Sequence, residues 1–392
     1  MKRNRGVSRL EIGPFEEQSV IAAVRSAREE LDAEVALGFV FVTPDFAPHL
    51  AEFLELVRVY GRIPLLVGCS GAGVIGTNVE LENQPGFSLL LLSLPNTEIT
   101  LFQFSQGQVE ESTGPAYWHM ESGVEEADAW IVLAHPARLE IDRWLREWDT
   151  AYPQVPVLGG LASGGESMEE IFLLHDGRAL SAADGLAIAL RGGLRVATIV
   201  SQGCRPIGEP LTITGARQNL VLTLASKPAY QVLNEVFLSL SDRERTRAQG
   251  NIFAGLAISE YLHEFKRGDF LIRNILGAEP ASGAVAIGAA PRIGQTLQYQ
   301  LRDRDTADED LRELGLIARE EDMVRPFAAL LFSCNGRGRG LFQISHHDAG
   351  VLAEIFGPGP LAGFFCNGEI GPIGAKTFLH GYTASAALLC DA

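Results

Sequence analysis

The stretch Pro156-Val157-Leu158-Gly159-Gly160-Leu161-Ala162-Ser163-Gly164 has a counterpart later in the chain, Pro360-Leu361-Ala362-Gly363-Phe364-Phe365-Cys366-Asn367-Gly368. Both copies place a proline and two apolar residues before a glycine, and both end in a small or polar pair closed by a further glycine. Pro64-Leu65-Leu66-Val67-Gly68-Cys69-Ser70-Gly71 is a looser third copy. The pattern predicts an internal duplication in which a hydrophobic strand ends in a turn of small residues.

The segments around these copies alternate between helical and strand patterns. Residues 15–34 and 46–60 carry apolar residues at helical spacing, and the runs 36–42 and 64–67 are typical of buried strands. The first third therefore predicts a β-α-β arrangement with parallel strands. In the middle third short strand-like runs outnumber helices, which favours a mixed sheet.

A second half begins near residue 223, where helical spacing resumes after Pro228. We therefore predict a mixed α+β (α/β) fold of two related halves. Each half is expected to be a mixed β-sheet flanked by helices, and the sheets are expected to stack in α-β-β-α layers. The predicted segments are an N-terminal helical segment at 1–35, a first domain at 36–222 and a second at 223–392.

Composition and charge restrict the function classes. Hydrophobic residues make up 46% of the chain and charged residues 21%, as in a globular protein. The formal net charge of −17 disfavours binding to nucleic acid or to anionic lipid. No apolar signal segment follows the basic N-terminus, and the longest apolar run, 87–95, is too short to span a bilayer. We expect a cytoplasmic protein without membrane insertion.

Five cysteines are scattered along the chain without a zinc-binding spacing, so neither a metal site nor a cofactor is expected. His346-His347-Asp348 is also a poor chelate, because adjacent side chains on a strand point to opposite faces.

Several ordered motifs resemble those of FIST domains. Residues 67–73 resemble a glycine-cysteine signature of the FIST N domain, and residues 157–165 its later Gly-Gly motif. Residues 332–338, 360–365, 367–372 and 380–383 resemble the FIST C domain. The resemblance covers roughly residues 36–390, so the two predicted domains correspond to FIST N and FIST C. One departure is His135-Pro136, where Asp-Pro is expected in the family.

The resemblance implies a sensory module that binds a small ligand, such as an amino acid, in signal transduction. Because the chain shows no recognisable output segment, a separate signalling partner is expected. The predicted ligand-binding residues lie in the glycine turns and near the C-terminus: Cys69, Ser70, Ser163, Asn335, Arg337, Arg339, Asn367, Glu369, His380 and Tyr382. Arginine is suited to a carboxylate and glutamate to an ammonium group, so this set would complement a zwitterion.

Two alternatives stay open at the level of sequence. Cys69, Cys334 and Cys366 each adjoin a glycine turn, so the first alternative is a cysteine-dependent enzyme acting on a small molecule, although the spacing pairs no cysteine with a histidine base. No catalytic residue is therefore assigned. The other alternative is a protein-interaction scaffold without a ligand.

Overall fold

The computed structural model describes residues 3–165, 167, 170–180, 183–262 and 264–392. Contacts divide the chain into two units, Met1–Val200 with Leu311–Ala392, and Ser201–Asp310. The division places the second unit, in sequence, inside the first.

Residues 5–93 form a block with a parallel strand–helix–strand motif at its centre. Its elements are β1 (Arg5–Ile12), α1 (Glu17–Leu31), β2 (Leu37–Val42), a 3-10 turn (Pro44–His49), α2 (Leu50–Gly61), β3 (Leu66–Ser70), β4 (Gly73–Gly76), β5 (Val79–Glu82) and β6 (Gly86–Ser93). Strands β2 and β3 are parallel, and β6 and then β1 extend the sheet in antiparallel fashion. The hairpin β4–β5 leaves this sheet.

Residues 98–191 repeat the block. Its elements are β7 (Glu98–Phe104), α3 (Gln106–Glu111), α4 (Pro115–Ser122), β8 (Ala129–Ala134), α5 (Ile141–Ala151), β9 (Val157–Leu161), β10 (Leu173–His175), β11 (Arg178–Leu180) and β12 (Gly185–Arg191). Strands β8 and β9 are the parallel pair, with β12 and then β7 beside them. The order of element types therefore matches that of the first block, with two short helices in the place of α1.

A third block begins with β13 (Leu194–Ser201) and is interrupted by the second unit. That unit contains β14 (Cys204–Pro206), β15 (Leu211–Arg217), β16 (Leu220–Leu224), β17 (Lys227–Pro228), α6 (Ala229–Ser239), α7 (Asp242–Ala248), β18 (Ile252–Ala257), β19 (Phe270–Glu279), β20 (Ala284–Ile287) and β21 (Thr296–Arg302). Its strands run antiparallel in the ring β21-β15-β16-β20-β19-β18, which closes because β18 also pairs with β21. Ala229, Val232 and Val236 of α6 belong to the apolar interior of this barrel.

The third block resumes with α8 (Arg304–Glu320), β22 (Pro326–Cys334), α9 (Gly338–Phe342), α10 (His347–Phe356), β23 (Leu361–Cys366), β24 (Glu369–Ile373), β25 (Lys376–His380) and β26 (Ala384–Asp391). Strands β22 and β23 are parallel, and β26 and β13 complete the sheet on the other side. The described residues thus contain the block three times. The looser third copy of the sequence pattern, residues 64–71, lies in the first of these blocks.

The hairpins tie the blocks together by strand exchange. Strand β4 of the first block pairs with β23 of the third, β24 of the third with β9 of the second, and β10 of the second with β3 of the first. Each of the three sheets described here therefore has six strands, two of which come from another block. Because these are backbone ladders, the blocks share hydrogen bonds as well as side-chain contacts.

One apolar core lies between the inner faces of the three sheets, with Phe41, Leu133 and Phe364 among its members. Helices cover each outer face through separate clusters, one for α1 and α2, one for α3 to α5, and one for α8 and α10. The prediction of mixed sheets flanked by helices is confirmed. Within the first unit three sheets, rather than two stacked layers, share the inner core.

Two of the differences between the local predictions and the structure concern the N-terminal segment and the middle third. Strand β1 lies within the segment 1–35 that was predicted to be helical, and α3 and α4 were not predicted. Strand β1 has a mostly half-buried pattern without clear alternation, and α3 and α4 have only six and eight residues, so none of them carries a strong periodic signal.

The repeated glycine has the same steric reason in every block. A Cβ atom added to Gly68, Gly159 or Gly363 would lie 1.7–1.8 Å from the carbonyl oxygen of the residue opposite, on the neighbouring parallel strand. No rotation of a side chain relieves contact with a main-chain atom. The glycine therefore lets each parallel pair approach closely, and this is what the sequence echo records.

We expect Gly363→Ala to lower the free energy of unfolding by about 3 kcal/mol, because the new methyl group overlaps the Leu331 carbonyl oxygen. Gly350→Ala is the matched control, since a Cβ there meets nothing within 4 Å and alanine is favoured by about 0.5–1 kcal/mol in the middle of helix α10. Urea unfolding followed by circular dichroism measures both. Equal stability of the two variants would contradict the steric explanation.

Candidate functional site

The strand-end turns of all three blocks meet at one open cleft. Its lining in the described residues comes from Pro44, Ala72, Gly164, Gly165, Ser167, Ile171, Asn335 and Asn367, and its volume is about 380 Å³. Pro44 and Ala72 follow strands of the first block, the next four belong to the second, and the two asparagines follow β22 and β23 of the third. The cleft is therefore built at the carboxyl ends of the parallel strand pairs, where functional residues of α/β folds commonly lie.

Ser163 connects these turns just beneath the cleft. Its hydroxyl group donates to the carbonyl oxygen of Phe365 and accepts from the backbone N–H of Ala72 at 2.9 Å, and its own N–H donates to the Ser70 carbonyl at 3.1 Å. Because it is fully buried and bonded to the other two blocks, Ser163 positions the turns.

Asn335 and Asn367 form the polar edge of the cleft. Both are exposed, and the Asn335 amide donates to the Asn367 amide oxygen at 2.8 Å. The Asn367 amide in turn donates to the Ala162 carbonyl at 3.3 Å. The pair is held by neighbouring turns while its remaining donors and acceptors face solvent.

Arg337 is placed differently from what its predicted role requires. Its guanidinium group is fully buried and makes a bidentate pair with Asp348, with Nε–Oδ2 and Nη2–Oδ1 distances of 2.7 and 2.8 Å. Ser333 donates to the same carboxylate at 2.8 Å, and His347 Nδ1 lies 2.9 Å from it. The fork predicted to bind a ligand carboxylate binds an internal one instead.

Glu369 lies in the same buried layer. One carboxylate oxygen accepts from the Thr383 N–H at 3.1 Å, and the other, Oε1, has no hydrogen-bond partner. Burial raises the pKa of Glu369 to about 8, against the opposing effects of that N–H and of the Arg337 charge. The Cys334 thiol is within hydrogen-bonding reach of this carboxyl group.

A third buried carboxyl group, Glu80 on β5, completes the network around Arg337. It accepts from the Ala349 N–H at 2.8 Å, and its Oε2 is unpartnered. Burial, reinforced by the charge of Asp348, raises the pKa of Glu80 to about 8. Burial alone would also raise the pKa of Asp348, but the charge and hydrogen bonds of Arg337 hold it well below its usual range. One arginine thus leaves one carboxylate ionised and two glutamic acids protonated near neutral pH.

The other predicted residues do not line the cleft. Cys69 and Ser70 are buried; burial raises the pKa of the Cys69 thiol, and the Ser70 hydroxyl accepts from the Phe172 N–H. His380 is buried with Nε2 3.0 Å from the Gly371 carbonyl. Tyr382 is half-buried, and its carbonyl accepts from Arg337. Arg339 is exposed, and its N–H donates to Glu82.

Asp348, Glu80 and Ser333 were missed by sequence reasoning. Asp348 belongs to the His346-His347-Asp348 run, where it was considered only as part of a metal motif; among the described residues no group of three or more histidine, cysteine or acidic residues could hold a metal. Asp348 follows Arg337 by only 11 residues in the sequence, and this short separation could have indicated the pair. Glu80 is more than 250 residues away from its partners, so no local pattern connects them.

We expect Asp348→Asn to lower the free energy of unfolding by about 3–5 kcal/mol, because it leaves the Arg337 charge buried without its partner. Glu354→Gln, which removes one partner of the exposed ion pair between Arg312 and Glu354, should cost less than about 1 kcal/mol. Chemical denaturation measures both values. A similar loss of unfolding free energy in the two variants would contradict a larger contribution from the buried pair.

The protonated glutamic acids predict a pH dependence of stability. A glutamic acid of the unfolded chain ionises near pH 4.3, whereas Glu80 keeps its proton to about pH 8 in the folded state. The folded state therefore binds the extra proton, and the stability that this gives is complete below the unfolded pKa and is lost as the pH rises through 8.

We expect Glu80→Gln to be more stable than the wild type at about pH 9, by at least ~1 kcal/mol, and to differ little at about pH 5. Urea midpoints across this pH range measure the difference, with Glu313→Gln on the exposed face of α8 as the control. A difference that does not change with pH would contradict the assignment of a buried, protonated Glu80.

Family comparisons agree with the motifs. The FIST N domain model matches residues 36–227 and the FIST C domain model residues 229–372. The boundary between the two matches falls inside the second unit. In the described residues, no helix combines the length and apolar character that a membrane span requires.

Relatives are found in mycobacteria. Uncharacterized protein Rv0628c of Mycobacterium tuberculosis (strain ATCC 25618 / H37Rv) is 34% identical over 379 residues, covering 96% of this chain and 97% of the relative. Uncharacterized protein Mb0898c of Mycobacterium bovis is 35% identical with the same coverage. A crystal structure of cyanuric acid hydrolase from A. caulinodans aligns over 98% of this chain and 99% of that chain, but with a TM-score of 0.31 and 9% identity it assigns neither fold nor function. On the two domain matches and the full-length relatives, this chain is a member of the FIST family of sensory domains.

Proposed function

We propose that the protein is a cytoplasmic receptor that binds a small polar molecule in the cleft between the three strand-end turns, with amino acids and related zwitterions as the first candidates. The observation that carries this proposal is the convergence of turns from all three blocks on one cleft with exposed amide groups at its edge. A volume of about 380 Å³ lies within the ~300–1,000 Å³ range typical of small-molecule sites.

The lining favours recognition by hydrogen bonds. Among the described residues that line the cleft none is charged, so a ligand meets amide groups and backbone rather than an ion pair. Gly164 and Gly165 have φ angles of 86° and 81°, which glycine adopts at little cost. With no side chains, these two residues let Pro44 and Glu170 pack directly against the turn that lines the cleft.

The buried Arg337 layer has a supporting role in this proposal. Asn335 lies in the turn that connects Ser333, on β22, to Arg337. Ser333 and Arg337 both bind the Asp348 carboxylate, so Asp348 holds both ends of the turn that presents the Asn335 amide. Ligand contacts are thus assigned to Asn335 and Asn367, and positioning to Ser163, Arg337 and Glu369. The signal passes to a separate partner protein.

A ligand-free scaffold is the competing function, and the two differ in one measurable respect. A receptor gains stability with ligand concentration as RT ln(1 + [L]/Kd), whereas a scaffold shows no such gain. A thermal-shift screen with amino acids and small organic acids therefore separates them. If no compound raises the midpoint at millimolar concentration, the receptor proposal fails.

We expect the double variant Asn335→Ala/Asn367→Ala to bind the ligand found in that screen at least ~10-fold more weakly, since two hydrogen bonds of about 1 kcal/mol each are lost. Titration calorimetry measures the affinity. The matched control is Asn234→Ala on the exposed face of helix α6, which should bind like the wild type. Unchanged affinity in the double variant would mean that the ligand binds outside this cleft.

A further inference from the structure

Cys334 differs from the other cysteines in its surroundings. Of the five cysteines, all in the described part of the chain, Cys69, Cys204, Cys366 and Cys390 are buried and Cys334 is partly exposed. Burial raises the pKa of Cys69, Cys366 and Cys390, which keeps these thiols protonated and unreactive. Cys334 is the last residue of β22 and immediately precedes Asn335 in the cleft lining.

The alternation of β22 places the Cys334 side chain on the inner side of its sheet. Leu330 and Phe332 belong to the inner core, whereas Leu331 packs against the outer helices and Ser333 bonds to Asp348. Cys334 therefore points inward, at the strand end where the three blocks meet. The Gly336 N–H donates to its sulfur at 3.4 Å, which favours negative charge there.

Glu369 supplies the second observation. It is completely buried, it is within hydrogen-bonding reach of the Cys334 thiol, and its Oε1 has no partner. A buried carboxyl oxygen without a hydrogen-bond partner costs folding free energy, and perturbed groups of this kind concentrate at functional sites. Beside a thiol, the ionised form of this carboxyl group, which is populated as the pH approaches about 8, accepts the thiol proton, as a nearby base does for a cysteine nucleophile.

The position has diverged between the blocks. In the three parallel pairs, Gly68, Gly159 and Gly363 lie opposite Val40, Val132 and Leu331, respectively. The residues three positions after these partners, Thr43, His135 and Cys334, are therefore equivalent in the three blocks. The first two are buried, and the His135 Nδ1 accepts from the Ala137 N–H. Only the third block combines a partly exposed thiol with a buried carboxyl group at this step.

We propose that Cys334 is a covalent acceptor for small, uncharged electrophiles that enter the cleft, in particular α,β-unsaturated carbonyl compounds, with Glu369 as the proton acceptor. This inference rests on the cleft proposed above as the ligand site. The sulfur forms a bond to the β-carbon while the thiol proton passes to Glu369, which reacts from its ionised form. The π electrons of the C=C bond move towards the carbonyl group, and the α-carbon then takes the proton back. Thiol plus alkene gives a thioether, and no further reactant is needed.

Acrylamide is a probe of the right class, and propionamide is its unreactive analogue. We expect brief treatment of the native full-length protein with acrylamide to give one adduct, which peptide mass spectrometry places on Cys334, with a rate at least ~10-fold above that of any other cysteine. Propionamide should give no adduct. Equal, slow labelling of all five cysteines overturns the proposal.

The role of Glu369 is tested by three variants. Glu369→Gln should slow the labelling of Cys334 at least ~10-fold, Glu369→Asp should fall between it and the wild type, and Glu55→Gln on the exposed face of α2 should have no effect. Labelling of Glu369→Gln at the wild-type rate overturns the assignment of the base. If Glu369→Gln does not fold, the intermediate rate of Glu369→Asp carries the test.

The outcome separates this inference from the receptor proposal. Labelling of Cys334 without any stabilising ligand in the screen would leave the electrophile site standing and remove the amino-acid receptor. A stabilising ligand that protects Cys334 from acrylamide would support both. Binding of a ligand with no preferential labelling would retain the receptor and overturn the thiol site.

Discussion

Backbone pairing between blocks is the constraint on which the first unit depends. Each block sends its hairpin to the sheet of another block, so that β4, β10 and β24 complete sheets they do not belong to in sequence. A strand that leaves its own sheet would expose unpaired N–H and C=O groups unless a neighbour accepts it. The exchange therefore makes each sheet dependent on a neighbouring block and encloses one core between the inner faces.

The location of the cleft follows from this exchange. The chain leaves β3, β9 and β23 in order to reach the neighbouring sheet, and the turns at those points come together. Ser163 bonds to both other blocks at this point, and the asparagines of the third block form the polar edge. Small residues are needed because the turns of the three blocks approach one another closely. The glycine turns are thus structural, and the cleft is a consequence of their meeting.

Beneath the cleft lies a layer of buried charge with an unequal balance. Asp348 neutralises Arg337. The charges of both residues also act on the pKa of Glu80, and the charge of Arg337 acts on the pKa of Glu369. A buried carboxyl group without a full set of partners favours its protonated form. The groups that create this asymmetry come from the first and third blocks, and they give the centre one chemically distinct side. Perturbed groups of this kind concentrate at functional sites.

By itself the sequence determined the type and order of most elements, the repeated strand-and-glycine unit and the family, because these depend on local periodicity and on short motifs. It also located the turns that carry Ser163, Asn335 and Asn367. The tertiary structure alone decided that the unit occurs three times around one core, that hairpins are exchanged, and that residues 201–310 form a unit of their own. It also decided the roles of the charged residues. Arg337 has the same side chain whether it faces a ligand or Asp348, and its role depends on whether burial and a partner are present, which neighbours in the sequence do not reveal.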